Sequence, residues 1–134
     1  MVIDSSAVLA VLLGEEDAVF YAGAVEEIAS PLISAVSALE VSLVIGARKG
    51  EKGLAALNRF FERSGIQIIA FDLEQLQLAK EAWWRYGKGR HAAGLNLGDC
   101  CSYALAKATG KRLLYKGDDF GRTDVRGVKS GSGN

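Results

Sequence analysis

The chain has 134 residues, of which 49% are hydrophobic and 24% are charged, a balance that indicates one folded globular domain and excludes a disordered segment. The formal net charge is zero, so nucleic-acid binding would depend on a local basic patch rather than on an overall field. No apolar run approaches the ~20 residues that span a bilayer, and no basic segment precedes the N-terminal apolar residues. We therefore expect a cytoplasmic protein with no membrane partner.

The two cysteines, Cys100 and Cys101, are adjacent and cannot pair with each other in a helix. We interpret them as small buried hydrophobic residues of a protein in a reducing compartment. With a single histidine and no spaced cysteines, the sequence offers no recognisable set of zinc ligands.

The first half of the chain alternates short strands with helices. Gly14 and Pro31 mark breaks between elements, and Gly50 follows basic residues that are typical of a helix end. The predicted elements are a strand at residues 2–3, helices at 7–13 and 15–28, a strand at 32–34, and helices at 35–48 and 53–63.

The second half continues this alternation. Asp72 and Asn96 precede two helical runs and are suitable N-caps. The predicted elements are a strand at residues 66–71, a helix at 73–86, a glycine-rich basic loop at 87–94, a helix at 97–109, a strand at 113–115 and a short edge strand at 123–125. We assign residues 1–128 to a single domain and the glycine- and serine-rich residues 129–134 to a flexible tail.

Strands separated by helices of this length imply right-handed crossovers, and therefore an α/β fold with helices on both faces of a parallel sheet. Such sheets gather their functional groups at the carboxyl ends of the strands. Asp4 directly follows the first strand, and Asp118 and Asp119 follow the fourth. We expect these acids to lie at one edge of the sheet.

Each acidic residue also has a purely structural interpretation. Asp4 could cap the helix after it, and Asp99 could stabilise the first turn of its own helix. The pair Asp118-Asp119 could form an ordinary acidic turn. Glu40 fits a structural role least well, because it lies on an apolar helical stripe that we expect to face the core, where a lone carboxylate is rarely tolerated. The other members of this stripe are Val36, Leu43, Val44 and Ala47.

Converging carboxylates need a compensating charge. Two of them ~4 Å apart repel by about 4 kcal/mol at an effective dielectric constant of about 20. A divalent cation offsets this repulsion, and an all-oxygen site without cysteine or histidine selects Mg²⁺ or Mn²⁺. Such a site allows metal-activated water to attack a phosphodiester bond.

Basic residues cluster in and next to the glycine-rich loop. Arg85, Lys88, Arg90 and His91 could form a patch for a phosphate backbone, although a solvated charged loop is the commoner outcome. The neighbouring pair Trp83-Trp84 could stack on bases, or could serve as a core or dimer contact.

The sequence up to about residue 125 resembles PIN-domain ribonuclease toxins of the VapC type. The resemblance lies in the order and spacing of six segments, at residues 1–7, 33–40, 86–91, 94–100, 114–120 and 123–125. It implies a three-layer α/β/α sandwich with a short central parallel sheet, a Mg²⁺-dependent endoribonuclease activity on RNA, a homodimer, and inhibition by a cognate antitoxin protein.

The family's acids correspond to Asp4, Glu40 and Asp99. The resemblance implies that Asp4 and Asp99 bind Mg²⁺ or Mn²⁺, and that Glu40 contacts the metal through water or orients the nucleophile. Ser6 and Asn96 are expected to support this site.

Two positions depart from the family pattern. Ser5 replaces a common threonine but retains the hydroxyl. Many relatives carry threonine, asparagine and aspartate after the fourth strand, where this chain has Tyr115-Lys116-Gly117. The fourth acid must then be Asp118 or Asp119, and both remain open.

Two alternative functions belong to other classes. A phosphoacceptor signalling module would need an acceptor at the end of the central strand, for which Asp72 is a candidate, but this function leaves Glu40 unexplained. A catalytically inactive α/β interaction domain is the second alternative. The helices between residues 35 and 61 also predict a surplus apolar surface for a homodimer and an antitoxin segment, with Val41, Ile45, Phe60 and Phe61 as its candidates.

Overall fold

The computed structural model describes residues 1–131 and contains one short parallel sheet. Its strands are β1 (Val2–Ile3), β2 (Leu32–Ser34), β3 (Gln67–Ile69), β4 (Leu113–Leu114) and β5 (Gly127–Val128). They lie in the order β3-β2-β1-β4-β5, and every neighbouring pair is parallel. The strand β1 is therefore central, and the segment that follows it emerges in the middle of the carboxyl edge.

Within residues 1–131, five α-helices connect the first four strands, and a short 3-10 helix, Phe120–Arg122, lies between β4 and β5. The α-helices are α1 (Ser5–Leu12), α2 (Ala18–Glu26), α3 (Ala35–Ser64), α4 (Leu73–Tyr86) and α5 (Leu97–Thr109). The predicted end near Gly50 is present as a break inside α3, where Gly50 has φ 62° and ψ −153°. A left-handed φ of this kind is accessible to glycine at little cost, so the chain continues as a second helical stretch in a new direction.

The helices form two cores, one on each face of the sheet. On one face α4 and α5 pack around Leu105 and Leu113. On the other face α1, α2 and α3 pack around Ile3 and Ile33. This arrangement confirms the predicted α/β class and its three-layer α/β/α architecture.

The prediction of an edge strand at residues 123–125 is wrong. The Thr123 side chain donates to the Phe120 carbonyl (2.8 Å) and accepts from the Val125 amide (3.2 Å), which holds this segment in a turn. The edge strand begins at Gly127 instead, where a side chain would collide with the Tyr115 ring. Only glycine allows the chain to approach β4 this closely.

The predicted orientation of α3 is also wrong. The stripe that contains Glu40 faces outward, with Leu43 65% exposed, while Val41 and Ile45 lie in the core. Val41 and Ile45 therefore contribute no surplus surface, and Phe60 and Phe61 are partly buried against the same core. Leu39 and Leu43 are the exposed large hydrophobic residues of this helix. The helix is apolar on two sides, so its hydrophobic pattern alone did not identify the core face.

The predicted flexible tail begins in described residues and continues beyond them. The Ser130 amide donates to Tyr21 Oη at 3.1 Å, so the start of this segment contacts the domain. Residues 132–134 lie outside the described residues, and the boundary at residue 128 stays a prediction. Within residues 1–131, no helix has both the length and the hydropathy to cross a membrane.

Candidate active site

Asp4 is at the centre of the carboxyl edge of the sheet and is only 2% exposed. Its backbone amide pairs with the Leu114 carbonyl of β4, and its side chain caps α1. Oδ2 accepts hydrogen bonds from the Ser6 amide (3.0 Å) and the Ser6 hydroxyl (2.6 Å), and Oδ1 accepts one from the Ser102 hydroxyl (2.5 Å). Asp4 therefore caps α1 and also lies at the carboxyl edge of the sheet.

Ser6 links Asp4 to the chain after β4. Its hydroxyl donates to Asp4 and accepts from the Lys116 amide at 2.9 Å. The Lys116 ammonium is paired with Glu15 (2.7 Å) and Asp17 (3.0 Å) at the start of α2. These contacts draw the turn before α2 toward β4, and they help to explain why α2 begins at Ala18 rather than at the predicted residue 15.

Asp99 lies in the first turn of α5, where it forms a capping box with Asn96. The Asp99 amide donates to Asn96 Oδ1 (2.9 Å), and the Asn96 amide donates to Asp99 Oδ2 (3.1 Å). Burial raises the pKa of Asp99 to about 7, against the lowering effect of the Asn96 hydrogen bond. The negative charges of Asp4, Asp119 and Glu40 add to the rise, so these acids lie close enough to Asp99 to repel its charge.

Glu40 reaches this group from α3. Its Oε1 atom is buried and has no hydrogen-bond partner. The α5 backbone lies against it at Gly98, where a Cβ atom would be 2.5 Å from Oε1. A buried carboxylate oxygen without a donor is costly, and this one is adjacent to the other acids.

The neighbours Asp118 and Asp119 differ in the charged groups on which they act. Asp118 is largely exposed and forms an ion pair with Lys129 at 3.1 Å. Asp119 lies closer to the acid group, because its charge contributes to the raised pKa of Asp99. The effect of the Asp119 charge on Asp99 and the ion pair of Asp118 with Lys129 therefore distinguish two residues that the sequence left equivalent.

A known protein family matches nearly the whole chain. The model of the PIN domain family matches residues 1–126. The "Ribonuclease VapC" of Mycolicibacterium smegmatis is 48% identical over 128 residues, which cover 96% of this chain and 99% of that protein. The chain belongs to the VapC family of PIN-domain ribonucleases. The resemblance noted in the sequence is thereby confirmed.

Solved structures with low sequence identity to this chain share the fold. The VapC20 toxin of Mycobacterium tuberculosis, described as cleaving the Sarcin-Ricin loop, is 14% identical and matches with a TM-score of 0.76 over 92% of this chain and 95% of that chain. A toxin–antitoxin complex from Klebsiella pneumoniae is 18% identical and matches with a TM-score of 0.67 over 92% of each chain. At these identities the matches establish the fold alone.

The VapC fold also bears on the signalling alternative. Asp72 follows β3, which is an edge strand, and its side chain caps α4 by accepting from the Gln75 amide at 2.9 Å. Asp72 is therefore not the acid at the end of the central strand. That position belongs to Asp4.

Sequence reasoning missed two serines of this VapC site. Ser102 and Ser37 are fully buried, and their hydroxyl oxygens are 3.0 Å apart. Ser102 is three residues after Asp99 and interrupts an otherwise apolar helical stretch, and Ser37 is three residues before Glu40. This spacing puts each serine one helical turn from an acid, which was the available signal.

The basic residues predicted to bind RNA lie on the loop between α4 and α5 and at the end of α4. Arg90 stacks its guanidinium on Trp84, 3.9 Å from the ring centroid, and Arg85 lies 4.9 Å from the centroid of the Tyr86 ring. His91 makes a hydrogen bond within the loop, in which its Nδ1 atom accepts from the Ala93 amide at 2.9 Å. All four basic side chains are exposed: Arg85, Lys88, Arg90 and His91.

Two further sequence predictions concern side chains near the acids and the loop. Trp83 and Trp84 are exposed rather than part of the core. Cys100 and Cys101 are buried free thiols, as predicted, and burial raises the pKa of Cys100 to about 11. The cysteines therefore act as packing residues of α5.

The side chains of the acid group suit a hard divalent cation by their chemistry. Every candidate donor is an oxygen, Glu40 offers an unpartnered buried atom, and the charge on Asp99 is disfavoured first by burial and then by the neighbouring acids. Within residues 1–131, no three acidic, histidine or cysteine side chains are already arranged around a common metal position. The oxygen donors therefore fit a divalent metal by their chemistry.

Proposed function

We propose that this VapC-family chain is a Mg²⁺-dependent endoribonuclease that acts as the toxin of a toxin–antitoxin pair in the cytoplasm. The observation that carries the proposal is the convergence of Asp4, Glu40, Asp99 and Asp119 on one edge of the sheet, where burial and then the charges of the other three acids raise the pKa of Asp99. Such a group destabilises the fold on its own, and a divalent cation would offset the repulsion. A catalytically inactive interaction domain would not require a group of converging acids.

RNA is the proposed substrate because of the family and the chemistry together. The curated relative is named a ribonuclease, and VapC20 is described as a Sarcin-Ricin loop cleaving toxin. An all-oxygen acid group is suited to phosphodiester hydrolysis, since Mg²⁺ and Mn²⁺ accept phosphate oxygens as further ligands.

Asp4 and Asp99 are the proposed metal ligands. Bound there, the ion would activate water for attack on a phosphodiester and stabilise the charge that develops on the leaving oxygen. Asp4 supplies a carboxylate fixed by Ser6, and Asp99 supplies one held by the capping box with Asn96.

Glu40 and Asp119 complete the proposed site. The Glu40 carboxylate, whose Oε1 atom has no hydrogen-bond partner, is the group to which we assign the orientation of the attacking water. Asp119 is the proposed fourth acid, because its charge acts on Asp99 whereas Asp118 is paired with Lys129.

The exposed basic loop is the proposed contact for the RNA backbone. Lys88, Arg90 and the adjacent Arg85 place positive charge around this loop in a chain whose net charge is zero, and His91 adds an exposed polar ring. Arg90 is already ordered by stacking on Trp84 and by donating its Nε–H to the Trp84 carbonyl at 3.1 Å. Ordering before binding lowers the entropic cost of a phosphate contact.

The proposed protein partners are an antitoxin and a second copy of the chain. A groove of about 420 Å³ has Glu40 in its lining together with the exposed side chains of Leu39, Leu43 and Leu97. An antitoxin segment with apolar side chains and one basic side chain would match both features. The Klebsiella relative is described as a toxin–antitoxin complex, which supports this part of the proposal.

The activity is tested by incubating the pure protein with structured RNAs, with Mg²⁺ or with EDTA, and mapping the new RNA ends. We expect cleavage at defined positions with Mg²⁺, restoration of activity when Mn²⁺ replaces it, and no cleavage in EDTA. Equal cleavage in EDTA would contradict metal dependence, and no cleavage of any RNA would contradict the enzyme.

The partner proposals need separate measurements. Induced expression of the wild-type chain should arrest bacterial growth, whereas the Asp4→Asn variant should not. Light scattering at micromolar concentration should give the mass of a dimer. A strictly monomeric protein would overturn the homodimer and leave the ribonuclease proposal standing.

A further inference from the structure

Asp4 is held from two sides, and only one of them belongs to its own helix. Ser6 occupies Oδ2 from within α1. Oδ1 is bound by the Ser102 hydroxyl, 98 residues away on α5, at 2.5 Å. Both serine contacts therefore act on a carboxylate that is 2% exposed.

The hydrogens of this network have one consistent arrangement when Asp4 is ionised. The Ser102 hydroxyl carries a single hydrogen and donates it to the Asp4 carboxylate. Ser102 then accepts from the Ser37 hydroxyl, 3.0 Å away on α3. The relay Ser37 to Ser102 to Asp4 thus runs in one direction and joins α3, α5 and the end of β1.

Ser102 also sets the position of one acid relative to another. It lies one helical turn after Asp99 on α5, so its bond to Asp4 fixes the distance between the helix that carries Asp99 and the strand that carries Asp4. Alanine would fill most of the same buried space, and residues 103–106 of this helix are buried as well. Packing alone does not require a hydroxyl here.

We propose that Ser102, oriented by Ser37, is a positioning residue that holds Asp4 in the rotamer and at the spacing from Asp99 that a divalent cation needs. This inference rests on the proposed metal-dependent function and deepens it. Hydrogen-bond partners behind metal ligands commonly change metal affinity by about tenfold or more when they are removed. A role limited to satisfying a buried carboxylate would instead change stability without changing metal affinity.

Calorimetric titration of Mg²⁺, and separately Mn²⁺, into the metal-free protein distinguishes these roles. We expect Ser102→Ala to weaken binding of both ions about tenfold. Ser37→Ala leaves the bond to Asp4 in place but frees the Ser102 hydroxyl to reorient, so we expect a smaller loss of roughly threefold. Ser42→Ala is the matched control, because it removes a hydroxyl of α3 that donates to the Ala38 carbonyl (2.8 Å) and not to the network. It should bind both ions like the wild type.

A thermal melt of each variant without metal accompanies the titrations. Lower stability of Ser102→Ala with unchanged metal affinity would overturn the inference. If Ser102→Ala does not fold, Ser37→Ala provides the test, and wild-type metal affinity in that variant would overturn the inference about Ser102. If the wild-type protein binds neither ion, the proposed metal-dependent function itself is refuted. If the wild type and the serine variants bind equally well, only the inference about Ser102 fails.

Discussion

Glu40 and Gly98 are in such close contact that a methyl group on Gly98 would lie 2.5 Å from Glu40 Oε1. The absence of a side chain at residue 98 therefore lets a carboxylate from α3 reach the first turn of α5. Because Oε1 is buried and has no hydrogen-bond partner, this approach brings no visible gain in stability. The glycine is therefore consistent with the role that we propose for the Glu40 carboxylate at this site.

We predict that Gly98→Ala impairs RNA cleavage by about tenfold or more without lowering stability. The new methyl group would displace the Glu40 carboxylate, while alanine favours the helix by up to about 1 kcal/mol relative to glycine. Cleavage rates and thermal melts check the two parts. Gly23→Ala in α2 is the matched control, since a Cβ there meets nothing within 4 Å, and it should melt at the same or higher temperature with unchanged activity.

Glu40→Gln should separate a role at the metal from a role in the fold. It keeps the shape of the side chain and deletes its charge. Within residues 1–131 no ion pair involves Glu40, so the melting temperature without metal should stay level or rise. The increase in melting temperature on adding Mg²⁺ should shrink by roughly 3–6 °C if affinity falls tenfold.

Melting the wild type and Glu40→Gln at two Mg²⁺ concentrations provides this comparison. An equal loss of stability at both concentrations would assign Glu40 to the fold and remove it from the metal site.

The raised pKa of Asp99 predicts a pH dependence of stability in the absence of metal. The folded pKa of about 7 exceeds the usual value of 3.8, so the folded state binds the extra proton between these two values. Stability should therefore fall as the pH rises through about 7. Chemical denaturation in EDTA at pH 5 and pH 8 should show a larger decrease for the wild type than for Asp99→Asn, which has no charge to gain.

Added Mg²⁺ should reverse this trend, because the cation binds the deprotonated carboxylate. Identical pH dependence of the wild type and Asp99→Asn in EDTA would contradict the assignment of the raised pKa to Asp99.

The neighbouring acids after β4 permit a matched test of the fourth acid. Asp119→Asn removes a charge that acts on Asp99, and we expect cleavage to fall at least about tenfold. Asp118→Asn makes the same change one residue earlier and disrupts an exposed pair with Lys129, which contributes little. Its cleavage rate should stay near that of the wild type. The reverse order of effects would assign the role to Asp118.

Much of the fold was predictable because local signals were strong. The caps Asp72 and Asn96 fixed the starts of α4 and α5, and Gly50 marked the break in α3. The alternation of strands and helices then required a parallel sheet. The edge strand was misplaced because the approach of Gly127 to Tyr115 is a tertiary contact that no local pattern reports.

The acids of the candidate site were predictable from the sequence, but the buried serines that hold them were not. Asp4, Glu40 and Asp99 were conspicuous because carboxylates are unusual beside apolar runs. Ser37 and Ser102 were not, since a serine within a helix is common and only its partner gives it a role. Asp118 and Asp119 could not be separated without the position of Lys129 and the charge on Asp99.

The central claim is that the converging acids form one metal centre, and calorimetric titration of Mg²⁺ into the metal-free protein tests it most directly. The wild type should give saturable binding, and the double variant Asp4→Asn with Asp99→Asn should give none while remaining folded by circular dichroism. Asp118→Asn should bind like the wild type. Equal binding by the wild type and the double variant, or no binding by the wild type, would contradict the claim.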